Sequence, residues 1–130
     1  MLTKPGWILR IEGAAMAVCA VCLYRVAGGG WILFLALFLW PDLLMLGYLA
    51  NARWGAALYN LVHTDALPIA LAGGSLGMHW TSALTFSLIW LAHIGWDRML
   101  GYGLKYPTFF KDTHLQRLDD MPERAAAKPA

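Results

Sequence analysis

His93 and Asp97 stand four residues apart, a spacing that puts both on one face of a helix. An imidazole and a carboxylate so placed can ligate one metal ion together, or share a single hydrogen bond. Further along the same line of chemistry, His63-Thr64-Asp65 offers a second imidazole with a hydroxyl and a carboxylate, and Asp42 follows Pro41. Glu12 lies close to Arg10, and Asp112 and His114 form an Asp-x-His step. Mixed imidazole and carboxylate ligands suit Zn²⁺ or a similar first-row divalent ion. Such an ion brings the pKa of a nearby water toward neutrality, which is hydrolytic chemistry.

Positioning these groups falls to unusually apolar elements. Of the 130 residues, 59% are hydrophobic and 14% charged, against roughly 45–50% and about 25% in soluble domains. One water-facing core could not hide that much apolar surface at this length. Disorder and a second globular domain are excluded by the same numbers. The net charge of +2, with basic residues in tails and loops, gives no case for nucleic acid. It fits membrane topology better. Cys19 and Cys22 form no disulfide framework and read as small packing residues.

A bilayer core takes about 20 apolar residues per helix. Four stretches qualify: Ile8 to about Val26, ended by Gly28-Gly29-Gly30; Trp31 to Ala50, interrupted at Pro41-Asp42; Gly55 to about Ala72, ended by Gly73-Gly74; and Trp80 to about Leu100, released by Gly101 and Gly103. Arg10 and Glu12 inside the first run argue for a retained helix over a signal peptide. Short connections make neighbours antiparallel. The expected fold is an all-α, four-transmembrane-helix bundle over residues 1–118, with a flexible polar tail at 119–130.

Four spans put both termini and the second loop on one side. That side holds Lys4, Arg10, Arg53, Arg98, Lys105 and Lys111, and the other holds Arg25 alone. The excess of positive charge places that side, with both termini, in the cytoplasm. Trp7, Trp31, Trp54, Trp80 and Trp96 fall near helix ends, where indoles favour the interface. At 1.5 Å per residue, Asp97, Glu12, His93, Asp42 and His63 lie ~5, ~6, ~10, ~12 and ~12 Å from the cytoplasmic ends of their helices. Ionisable side chains from four spans therefore share one depth, beneath a dry outer half. Pro41 frees the carbonyl of Leu37 and Pro68 that of Thr64, so both helices are expected to loosen beside the polar groups.

The strings PDLLMLGY (41–48), YNLVHT (59–64), LAHIGWDRMLGYGLKYP (91–107) and FKDTHL (110–115) resemble the bacterial membrane-protein family called domain of unknown function 4260, over about residues 7–118. That resemblance implies a small polytopic membrane protein and no particular activity. The order Pro-Asp, His-Thr, His-x-x-x-Asp is also similar to inner-membrane metal-dependent hydrolases. Asp42, His93 and Asp97 match that pattern by type and order; His63 precedes its Thr where the pattern has it following.

These readings give a bacterial inner-membrane protein with a divalent ion, zinc or a relative, held by Asp42, His63, His93 and Asp97, with His114 as a further ligand. Glu12 is the expected general base. Arg98 and Lys105 would hold the phosphate of a lipid-type substrate entering from the inner leaflet. The competing reading is non-enzymatic: the same residues form a hydrogen-bonded network or a proton or ion relay. Gly47, Ala50 and Gly55 would let helices approach closely in a homo-oligomer.

Overall fold

A computed structural model describes residues 3–126, with side chains to residue 120. Among these the regular elements are all helices, apart from one isolated bridge, Lys105 to Thr113. Pro5 opens α1 (Pro5–Val26), where its missing N–H costs nothing. Gly28, at φ +85°, turns the chain, and the Tyr24 hydroxyl donates to the Gly30 carbonyl at 2.7 Å. Next, α2 (Trp31–Leu37) stops at the carbonyl that Pro41 leaves without a donor. The chain continues as a 3₁₀ helix, Trp40–Leu49.

Asn51 caps α3 (Ala52–Val62), its side-chain oxygen accepting from Trp54 N at 2.9 Å. The helical path breaks at 63–65 and resumes as α4 (Ala66–Gly77), with buried Pro68 in its first turn. Gly73 and Gly74 were expected to end this segment, but neither takes a positive φ and the helix runs through both, on a face where a side chain would meet open space. After His79, at positive φ, α5 (Thr81–Leu100) ends in left-handed Gly101 at φ +95°. The segment 102–113 folds back beneath the bundle into α6 (His114–Ala126). Helix α6 carries the chain past residue 118, where a tail was expected.

Helix α5 is the axis of the molecule. It is buried continuously from Ser87 to Gly95, with α1 along one side and α4 along another. Its hydroxyls bond within the helix: Thr85 to the Thr81 carbonyl at 3.1 Å and Ser87 to the Leu84 carbonyl at 2.7 Å. Contact with α1 is close because glycine meets glycine. A Cβ on Gly95 would stand 2.6 Å from Ala17 N and from Gly13 O. Tyr24, Phe34, Leu88 and Ile89 fill the core on the α1–α2 side, and Trp90 with Val62 and Ile94 fills the other.

The outside is apolar. Val26, Ile32, Leu35 and Leu49 are 85%, 88%, 73% and 85% exposed. Two segments, Pro5–Val26 and Trp31–Leu49, are long and apolar enough to cross a membrane. The expected third span is instead two shorter helices, α3 and α4. Cys19 and Cys22 are free and exposed on α1 rather than packed. Gly47 and Gly55 serve a contact inside the chain: Gly47 approaches Gly55 Cα, and a side chain on Gly55 would strike the Tyr48 ring.

Candidate metal centre

Three interrupted or buried elements bring Asp42, His63, His93 and Asp97 to one point. Pro41 stands second in the 3₁₀ helix, with Asp42 beside it in the first turn. His63 is the C-cap of α3, at the break. His93 and Asp97 share one face of α5. The two Nε2 atoms are 3.2 Å apart. His63 Nε2 lies 3.3 Å from Asp97 Oδ2 and 3.5 Å from Asp42 Oδ1. His93 Nε2 lies 3.3 Å from both of those oxygens. All four atoms are within 4.8 Å of one another.

Five of the six separations, all but that between the two carboxylate oxygens, fit a single ion. Ligands about 2.0–2.2 Å from Zn²⁺ at the corners of a tetrahedron stand about 3.3–3.6 Å apart. The surroundings point the same way. His63 Nδ1 donates to the Tyr59 carbonyl at 2.9 Å, which turns the lone pair of Nε2 toward the cluster. The Tyr59 ring stacks on His63 at 3.6 Å, and its hydroxyl approaches Asp97 Oδ2 at 3.4 Å. Phe38 packs edge-on against His93. His93 Nδ1 is buried without a hydrogen-bond partner among the described residues.

The break that delivers His63 is itself satisfied from α5. The Trp90 indole donates to the Val62 carbonyl at 2.6 Å, and Arg98 donates to the His63 carbonyl at 3.2 Å. Continuing the helix would have used both carbonyls, so their replacement donors hold the break open. The imidazole side chains are 3% and 1% exposed, against 29% for Asp42 and 15% for Asp97. Access is therefore from the carboxylate side.

Lys105 lies beside the cluster, its ammonium against the Tyr59 ring that stacks on His63 and within electrostatic reach of both carboxylates. Asn60, three residues before His63, clamps its backbone: Lys105 N donates to Asn60 Oδ1 at 2.7 Å and Asn60 Nδ2 donates to the Lys105 carbonyl at 2.8 Å. Its ammonium lies 3.3 Å from the centre of the Phe110 ring, 4.5 Å from Tyr59 and 5.2 Å from Tyr48. Burial pushes this amine down to about 8, against the pull of Asp42 and Asp97.

Two expected members are not brought in. Glu12 is exposed on α1, beside Gly13 rather than on the face that meets α5. It is not among the side chains that gather at the cluster. His114 spends Nδ1 as the acceptor for Leu104 N–H at 2.9 Å and packs over Gly103. Asp112 is held by Arg117 at 2.6 Å. Tyr59, Asn60, Trp90 and Tyr48 were not singled out from the sequence. The first two were within reach of it, since residues three and four before His63 share its helix face.

A family model described as a domain of unknown function (DUF4260) matches residues 7–118, and the chain belongs to that family. Neither a curated protein nor a solved structure matches it.

Proposed function

We propose that this DUF4260 protein is a four-span integral membrane protein of the bacterial inner membrane, with both termini cytoplasmic, that holds a divalent first-row metal ion, best zinc, on Asp42, His63, His93 and Asp97. In this reading α2 with the 3₁₀ helix makes the second span, and α3 with α4 the third. Support for the bilayer comes from the apolar exterior and from the five tryptophans near helix ends, which are 46–60% exposed. Support for the ion comes from one observation above the rest: five ligand-to-ligand separations of 3.2–3.5 Å.

Hydrolysis of a lipid-type substrate is the activity that best fits the asymmetry of the site. A bound ion would polarise an ester or phosphoryl oxygen there. The imidazole side is sealed by Tyr59 and Phe38. The carboxylate side is open, and Asp42 Oδ2, which makes no hydrogen bond with a described residue, is the acceptor available to a proton. A second reading has its own support. Four protein ligands are a complete tetrahedral set, as in structural zinc sites, and the ion would then only pin the 3₁₀ helix and α3 to α5.

Metal analysis of the detergent-purified full chain tests the centre. The expected result is about one zinc, iron or manganese per chain after dialysis, lost in Asp97→Asn. Metal-free protein whose melting is unchanged by chelator would overturn it. Release of a product from lipid ester or phosphate vesicles by the metal-loaded chain separates the hydrolytic reading from the structural one.

A further inference from the structure

Lys105 is 7% exposed, yet its three N–H donors meet no oxygen among the described residues. The partner in range is the Met45 thioether, 4.0 Å away. Aromatic faces hold the charge without spending the hydrogen bonds. Charge counting around it is one-sided. A divalent ion would be neutralised by Asp42 and Asp97, leaving Lys105 and Arg98. Asp112 is committed to Arg117 and Asp119 to Arg10, and Glu12 is exposed on α1. Counting Asp65, beside the break, still leaves one positive charge in a partly dry site.

We propose that Lys105, held 4.5 Å from the Tyr59 ring that stacks on His63 of the metal centre, is the recognition residue for a phosphate oxyanion. This rests on the metal reading above and names its substrate class. A tetrahedral oxyanion presents several acceptors at once, so one oxygen faces the ion while others take the ammonium donors. The aromatic ring nearest the amine, Phe110, is 49% exposed and sits on the loop after Pro107, so it is the cover that the anion displaces. The bilayer setting makes the phosphate of a lipid headgroup the natural source, and free phosphate shares its chemistry.

The test uses the full chain in phosphatidylcholine nanodiscs, with metal content measured on each sample. Inorganic phosphate is titrated and followed by ³¹P NMR, and retention of phosphatidic acid is measured in parallel. Wild type should bind, and Lys105→Met should bind about ten- to hundredfold more weakly at unchanged metal content, the worth of a charge-assisted hydrogen bond. Lys105→Gln gives the same comparison if the first variant fails to fold. Phosphatidic acid retained against excess free phosphate identifies the lipid source. Displacement by free phosphate identifies the small anion, and either supports the proposal. Loaded wild type that binds neither probe, or variants that bind like wild type, overturns it while the metal centre stands. Absence of metal from wild type sinks both.

Discussion

His63 and His93 meet Nε2 to Nε2 at 3.2 Å, with opposite arrangements behind them. His63 has its second nitrogen tied to the Tyr59 carbonyl, whereas His93 has a buried Nδ1 with no such tie among the described residues. One imidazole is oriented by hydrogen bonding and the other by packing against Phe38. His63→Ala and His93→Ala should each reduce bound metal to background. Tyr59→Phe keeps the carbonyl and removes the hydroxyl near Asp97, so it should weaken metal affinity by about tenfold, the low end for an outer-shell partner. Competition with a chelator reads both effects; full metal retention in His93→Ala would remove it from the centre.

Trp90→Phe should leave the ring packing with Trp40 largely in place and strip the donor from the Val62 carbonyl. An unsatisfied buried acceptor costs about 1–3 kcal/mol. Denaturant titration of the detergent-purified chain should show a loss of that size. An unchanged midpoint would mean that another donor caps the break.

Gly95→Ala sets two effects against each other. Helix propensity favours alanine by roughly 1 kcal/mol. The new methyl, however, would stand 2.6 Å from backbone atoms of Ala17 and Gly13, which cannot rotate away. Overpacking of this kind costs about 1–3 kcal/mol, so the variant should melt lower than wild type. Because α5 carries His93 and Asp97, it should also bind metal less tightly. A higher melting temperature would show that α1 and α5 separate easily.

His114 gives the segment 102–113 a pH dependence. Burial lowers its pKa below the usual 6.5, and the Arg98 charge lowers it further. Protonating Nδ1 would also cost the bond from Leu104 N–H. The unfolded segment therefore takes up a proton between 6.5 and the lowered folded value, where the folded one does not. Stability is fully present above 6.5 and falls as pH drops through that window. Hydrogen exchange at Leu104 should accelerate as pH falls below 6.5, after correction for the intrinsic rate. His114→Asn, which retains an acceptor and does not titrate, should abolish the change.

Height along a helix was legible in the sequence; direction around it was not. Counting rise per residue brought Asp42, His63, His93 and Asp97 to one level, and they do converge. The same count put Glu12 there, because rise carries no angle. Gly13, Ala17 and Ala20 mark the face of α1 that meets α5, and Glu12 is turned about 100° from Gly13. Pro41 correctly marked where α2 stops. The break at His63 was harder to read, because Pro68 lies in the turn beyond it and the donors that sustain the break, Trp90 and Arg98, are remote in the chain. Lys105 was found by its charge alone. Its aromatic surroundings come from 48, 59 and 110, and no local spacing joins those positions.

The ligand set also imposes an order on biosynthesis. Asp42 and His63 leave the ribosome well before α5, so neither meets the partners that complete the cluster until Asp97 has been synthesised and α5 has packed against the earlier helices. On the proposed metal reading, a chain truncated before α5 should retain no metal.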